Sequence, residues 1–398
     1  ASEIGLVVND NDPQSVAVAA HYQKVRNIPD AHVYHVTFGT KGKAALGGTM
    51  TEADFVSKVQ GPLAAQVDPS IQAYAVSFSG PNKVDCMSLT SALAFGFDKK
   101  YCALPGSQCG PGPGKPTATS SYYNSASFAP FTDAALRPAM MLAGTSVENV
   151  QALIDRGVSS DDTFPDGDGY FLRTTDVNRS ARYADFQATV TKWASPGGPL
   201  TMTYLDNADG KGANQIKGEK DVLFYLTGLT TVPDIATNTY RPGAIADHLT
   251  SSGGGFGTSG QMSVLRWLEA GATASYGTVV EPCAYQQKFP RASVLVPHYF
   301  RGETLVEAYW KSVLWPGEGV FVGEPLARPW GTRTTWKNGT LTIATTTLVP
   351  GQTYAIESAP AATGPWATVQ DGITLTMEQL LTLTVKGTSA PYYRLIAQ

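Results

Sequence analysis

The residue types best suited to chemistry concentrate in one late stretch of the chain, Pro242-Gly-Ala-Ile-Ala-Asp247-His248-Leu-Thr250-Ser251-Ser-Gly-Gly-Gly-Phe256. A hydroxyl nucleophile needs a base, an orienting carboxylate and backbone donors for an oxyanion. His248, Asp247, Thr250 or Ser251, and Gly253–Gly255 are residues of those types. Adjacent residues rarely face one another, so a tight turn with a helix cap accounts for the same residues without a relay. Downstream, Gly277-Thr-Val-Val-Glu281-Pro-Cys283 adds a thiol, which would need His248 or another base beside it. It also adds Glu281, a general acid or base or one half of a salt bridge. His21, His32, His35 and His298 fall in helix or strand patterns that suit surface or packing roles. The acidic loops Asn9-Asp10-Asn11-Asp12 and Asp166-Gly-Asp168 carry the oxygen donors that calcium takes outside cells. Asp10, Asp12, Asp166 and Asp168 are the candidate ligands, although Asx-turns explain such spacing without an ion. No other cofactor is indicated. There is no P-loop, and Gly253-Gly-Gly-Phe-Gly257 departs from the dinucleotide fingerprint.

These residues must be positioned by a larger frame. Ile4–Val8, His32–Phe38, Ala73–Ser79, Ala139–Leu142, Tyr170–Thr174, Leu200–Leu205, Leu223–Thr227 and Ala272–Val280 read as strands. Between them lie helical patterns: one opened by Pro13 with Val16, Ala20 and Val25 on one face, then Glu52–Gln66, Val147–Arg156, Ala181–Trp193 and Gln261–Ala270. Strands alternating with helices predict an α/β domain over residues 1–330, with a largely parallel sheet flanked by helices. Ligands of such sheets sit beyond the carboxyl ends of the strands. Residues 98–135 interrupt the alternation with a Gly/Pro-rich run and predict a long surface excursion. From residue 331 to 398 the chain turns Thr-rich, and short β-runs with close turns predict a small C-terminal β-sandwich.

The 398 residues carry a net charge of -4, with only 16% charged, against a usual ~25%. That balance lacks the basic face a nucleic-acid partner requires, and no apolar run approaches the ~20 residues of a membrane span. Low charge and a start at Ala1-Ser-Glu-Ile without Met predict a secreted or cell-surface protein whose signal peptide has been removed. Four cysteines fit two disulfides in that setting, by default Cys102–Cys109, pinning the excursion, and Cys86–Cys283. No CxxC or HxxxH spacing supports zinc. Asn178 and Asn338 begin N-x-S/T sequons.

Several motifs carry a resemblance. Asn9-Asp-Asn-Asp-Pro-Gln-Ser-Val with Arg26-Asn-Ile-Pro29, the Pro242–Gly254 stretch, Leu268-Glu-Ala-Gly-Ala-Thr-Ala-Ser-Tyr-Gly-Thr-Val-Val-Glu-Pro-Cys283 and Phe321-Val-Gly-Glu-Pro-Leu-Ala327 resemble a secreted family of exosortase-carrying bacteria. That likeness covers about residues 3–330 and implies no particular activity. A more distant likeness is to gingipain-type cysteine peptidases, which share the caspase-like sheet. Leu223-Phe-Tyr-Leu-Thr-Gly228 is similar to the strand that ends in their catalytic His-Gly, and Ala244–Gly255 to the segment that carries their Cys. Here Leu229 stands in place of the His, and residues 242–256 contain no Cys. The resemblance therefore implies a caspase-like scaffold without its dyad. The expected function is a structural or interaction protein outside the cell, whose partner is itself or another cell-surface component. The alternative is a secreted hydrolase of peptidase or esterase type, using His248 with Ser251, Thr250 or Cys283.

Overall fold

A computed structural model describes residues 1–102, 118–193, 200–257, 260–387 and 389–398. Ten strands form one sheet: β1 (Ile4–Asn9), β2 (Val33–Val36), β3 (Ala73–Val76), β4 (Ala139–Met141), β5 (Asp168–Arg173), β6 (Thr201–Asp206), β7 (Val222–Thr227), β8 (Tyr240–His248), β9 (Ala274–Thr278) and β10 (Gly319–Gly323). Their spatial order is β2-β1-β3-β4-β10-β9-β8-β7-β5-β6. Strands β1 to β4 pair in parallel, as do β5 to β9, while β10 runs antiparallel to β9. Central strands of such a sheet are covered on both faces and read as unbroken apolar runs. Ile-Gly-Leu-Val-Val-Asn in β1 and Val-Leu-Phe-Tyr-Leu-Thr in β7 are buried at every position.

The flanking helices are α1 (Pro13–Arg26), α2 (Glu52–Phe55), α3 (Gly61–Gln66), α4 (Leu89–Phe95), α5 (Val147–Ser160), α6 (Tyr183–Trp193), α7 (Leu265–Ala270), α8 (Ala292–Phe300) and α9 (Leu305–Lys311). Asp12 caps α1 by accepting the Gln14 and Ser15 amides. The buried face of α1 is Ser15, Val18, Ala19 and Tyr22, not the expected Val16, Ala20 and Val25. Ser15 turns inward because its hydroxyl accepts the Asn9 amide and bonds Ser77. The single helix expected over residues 52–66 is interrupted at Val56–Gln60 by a π-turn, closed by a Gly61 N–H to Val56 carbonyl bond. Pro62 offers no N–H and crowds the carbonyl four residues back, which widens the turn. Among the described residues no helix is long and apolar enough to cross a membrane.

The C-terminal residues form two three-stranded antiparallel sheets around their own apolar cluster, which includes Leu341, Ile343, Tyr354 and Ile356. The strands are β11 (Thr332–Lys337), β12 (Thr340–Thr345), β13 (Thr353–Ala359), β14 (Ala367–Thr374), β15 (Leu381–Lys386) and β16 (Tyr392–Ala397), in orders β11-β12-β15 and β14-β13-β16.

The expected disulfide pairing is corrected. Cys86 bonds Cys102, which rules out both Cys102–Cys109 and Cys86–Cys283. Cys283 is itself disulfide-bonded, and Cys109 lies outside the described residues. The Cα atoms of Cys86 and Cys102 lie 5.5 Å apart, a normal separation for a bridge. The excursion is also not a surface flap throughout, since Tyr122 is fully buried and Ser120 bonds the Leu314 carbonyl. Closing a 16-residue separation is worth ~3 kcal/mol in the chain-entropy account. Cys86→Ala should therefore lower the unfolding free energy by about 2–3 kcal/mol in a denaturant titration. An unchanged midpoint and slope would contradict the pairing.

Candidate functional site

In the second half of the sheet, β5 is flanked by β6 on one side and β7 on the other. Strand order therefore reverses between β5 and β7, where open sheets place their ligands. The loops following β5, β8 and β9 enclose a cleft of about 310 Å³ there, lined by Asn178, Arg179, Ser251, Glu281, Pro282 and Cys283. Arg179 is its basic group. Nη1 donates to Asp176 Oδ2 at 2.8 Å and Nε to Thr250 Oγ1 at 3.0 Å. Thr250 in turn donates to Gln261 Oε1 at 2.8 Å, an oxygen that also accepts the Ser252 amide at 2.7 Å. The β5 and β7 loops touch so closely that a Cβ on Gly228 would lie 1.9 Å from the Arg179 carbonyl oxygen. Only glycine fits that position.

The residues expected to form a relay are divided between the two faces of β8, as the alternation of a strand requires. Pro242–His248 thus belongs to a central strand, not a loop, and its last six residues are buried. His248 is fully buried. Trp267 Nε1 donates to its Nδ1 at 2.9 Å, and its Nε2 bonds the Met262 carbonyl at 3.1 Å. Indole N–H is only a donor, so the ring is the neutral Nε2–H tautomer and has no nitrogen left for a hydroxyl or thiol. Burial pushes its pKa down to about 3, with Arg182 and Arg179 acting in the same direction. Asp247 points to the opposite face and meets Arg182 Nη2 at 2.6 Å, both side chains being buried. Burial raises the Asp247 carboxyl above its ordinary value, while the guanidinium opposes that rise. The expectation that His248 and Asp247 serve one nucleophile is corrected by these partners.

The remaining candidates separate in the same way. Thr250 is fully buried and spends its hydroxyl on Arg179 and Gln261. Ser251 and Glu281 do reach the cleft together, but Glu281 Oε1 accepts the Cys283 amide at 2.8 Å. Cys283, in a disulfide, is not a thiol nucleophile. The glycine cluster is explained by close approach. A Cβ on Gly254 would lie 2.7 Å from the Gly277 carbonyl oxygen. The Gly254 and Gly255 amides are already bonded to the Thr278 and Ser252 carbonyls, so neither is available to an oxyanion. Leu229 sits partly buried against the cluster containing Tyr225 and Trp267.

The proposed calcium ligands do not converge. Asp12 caps α1 and also accepts the Ala45 amide, and Asp10 pairs with His35 at 2.7 Å. Asp168 opens β5, while Asp166 lies exposed in the preceding loop. Among the described residues no group of three or more His, Cys, Asp or Glu side chains is placed to share an ion.

Sequence reasoning passed over Arg179, which lines the cleft, and Asp176 and Gln261, which bond Arg179 and Thr250 behind it. The only available signal was an Asp-Arg pair at i,i+3 directly after a strand end. Arg182 was equally silent, because its partner Asp247 lies 65 positions away. No family model, curated protein or solved structure matches the chain.

Proposed function

We propose that this chain is a secreted structural or interaction protein on a catalytically silent caspase-like scaffold, carrying a C-terminal β-sandwich through which it associates with itself or with other cell-surface components. The observation that supports silence most directly is the use of both His248 ring nitrogens inside the core. Leu229, in place of the base that the peptidase likeness would require, supports it further. A large, mostly parallel sheet flanked by helices suits the caspase-like reading. The disulfide and the low charge suit an oxidising compartment.

The interaction role draws on the C-terminal sheets. Strand β11 is an exposed edge at all six positions, and Trp336 is 50% exposed upon it. Beside it runs an open groove lined by Trp336, Leu341, Ile343, Pro391, Tyr393 and Leu395. An edge strand without a proline leaves one row of backbone groups open to strand addition. Sedimentation velocity of the full chain over about a hundredfold range of concentration should show mass-action association. Trp336→Glu should shift that association at least about tenfold towards monomer. A monomer at every concentration, together with no binding to cell-surface preparations, would overturn the proposal.

A further inference from the structure

We infer that the chain holds a binding site for an apolar monocarboxylate, formed by Arg137, Gln60 and Tyr74 around a pocket at the amino-terminal edge of β3 and β4. The pocket has a volume of about 370 Å³, and its walls include Phe55, Leu63, Leu93 and Phe131. Phe55, Leu63 and Tyr74 are core residues, so the floor is fixed. Small-molecule sites usually combine such apolar walls with a few converging polar groups.

Two features give the pocket its polar end. The first is Arg137. Its guanidinium carbon stacks 3.2 Å from the Phe131 ring centroid, and its Nε donates to the Ile71 carbonyl at 2.8 Å. Phe131 is itself held, because Gln72 Oε1 accepts the Phe131 amide at 3.0 Å. Stacking, the Nε bond and the Tyr74 phenol, which is hydrogen-bonded to the guanidinium, orient the fork without supplying a countercharge. Among the described residues no carboxylate forms an ion pair with Arg137. A pre-oriented guanidinium held by an aromatic face, a carbonyl and a phenol, with no carboxylate against it, keeps its charge for the carboxylate of a ligand. The second feature is the π-turn. In a regular helix Gln60 would lie well around the helix from Phe55, five residues earlier. The wider turn at Val56–Gln60 brings both to the pocket wall. Pro62 imposes the widening, and the amide of Gln60 is its result at the pocket.

The occupant is therefore an anion with an apolar body: the cation selects the carboxylate, and the aromatic and aliphatic walls select the rest. Medium-chain fatty acids and aryl-alkyl acids share that chemistry. Decanoate and 4-phenylbutyrate serve as the two probes, with decanamide as the uncharged control, in calorimetric titrations of the full chain. Saturable binding of one or both acids is expected, and whichever binds more tightly identifies the source. Arg137→Gln should weaken the acid by about tenfold or more and leave decanamide unaffected. Ala64→Trp, at an exposed lip position, should block the pocket while leaving the circular dichroism spectrum unchanged. Equal affinity of the wild type and Arg137→Gln for the acids, or no saturable binding up to about 5 mM, would overturn the inference.

Discussion

Asp247→Ala should destabilise the protein by about 3–5 kcal/mol, because it strands the Arg182 guanidinium in the core without its countercharge. Both side chains are only 1% exposed, and they meet at 2.6 Å. Among the described residues Arg182 then keeps the carbonyls of Thr227 and Pro290 and the rings of Phe186 and Phe289, none of which neutralises it. The pair is also incomplete, since Asp247 Oδ2 and Arg182 Nε find no hydrogen-bond partner among the described residues. Replacing both residues with apolar ones of similar volume should then restore most of the loss. The double variant Arg182→Met with Asp247→Leu is expected within about 1–2 kcal/mol of wild type. Denaturant midpoints of the three proteins measure this. A near-neutral Asp247→Ala would mean that the carboxylate is not performing this structural task.

His248 should make the protein acid-labile over a defined window. In the unfolded chain its imidazole takes up a proton near 6.5, whereas in the fold it resists protonation until about 3. Between those values the unfolded state binds more protons, so stability rises with pH through the window. The contribution is fully present above 6.5 and is lost as the pH falls towards 3. A displacement of that size corresponds to about 4–5 kcal/mol. Asp247 and Glu324 act with the opposite sign, because burial raises their carboxyls and the folded state protonates first. The difference between wild type and His248→Gln isolates the histidine. Its unfolding free energy, measured from pH 7 down to pH 4, should show a much shallower fall in the variant. Parallel profiles would contradict the assignment.

The frame was largely legible in the sequence and the site was not, for physical reasons that particular residues make plain. Runs such as Leu223–Thr227 and Ile4–Val8 read as central strands because both faces are buried and no polar letter interrupts them. Strand β8 escaped notice because Pro242 and Gly243 interrupt its first half and Asp247-His248 close it with the letters of a loop. Those polar side chains can occupy a core strand only because Arg182, Trp267 and the Met262 carbonyl satisfy them from distant or adjoining segments. Strand β10 and helix α9 fall outside the expected elements although a Thr304–Glu307 capping box opens the helix, and β14 runs through Asp371-Gly372, a dipeptide that usually marks a turn. The Cys86–Cys102 bond illustrates a further limit, since spacing alone does not fix connectivity.

The same contrast explains why the site reads differently in three dimensions. Linear proximity grouped Asp247, His248, Thr250 and Ser251, but strand alternation sends the first two to opposite faces. The cleft instead draws on Arg179 from the loop after β5, a residue more than sixty positions earlier in the chain. With Thr250 and both His248 nitrogens engaged, the cleft is a shaped, mildly charged surface.

A titration of the His248 ring by nitrogen-15 and proton nuclear magnetic resonance tests that conclusion most directly. The account predicts a neutral Nε2–H tautomer that persists from neutral pH down to the onset of acid unfolding, consistent with a pKa of about 3. A ring that titrates near 6.5, or that carries its proton on Nδ1, would place His248 within reach of solvent and return it to consideration as a base.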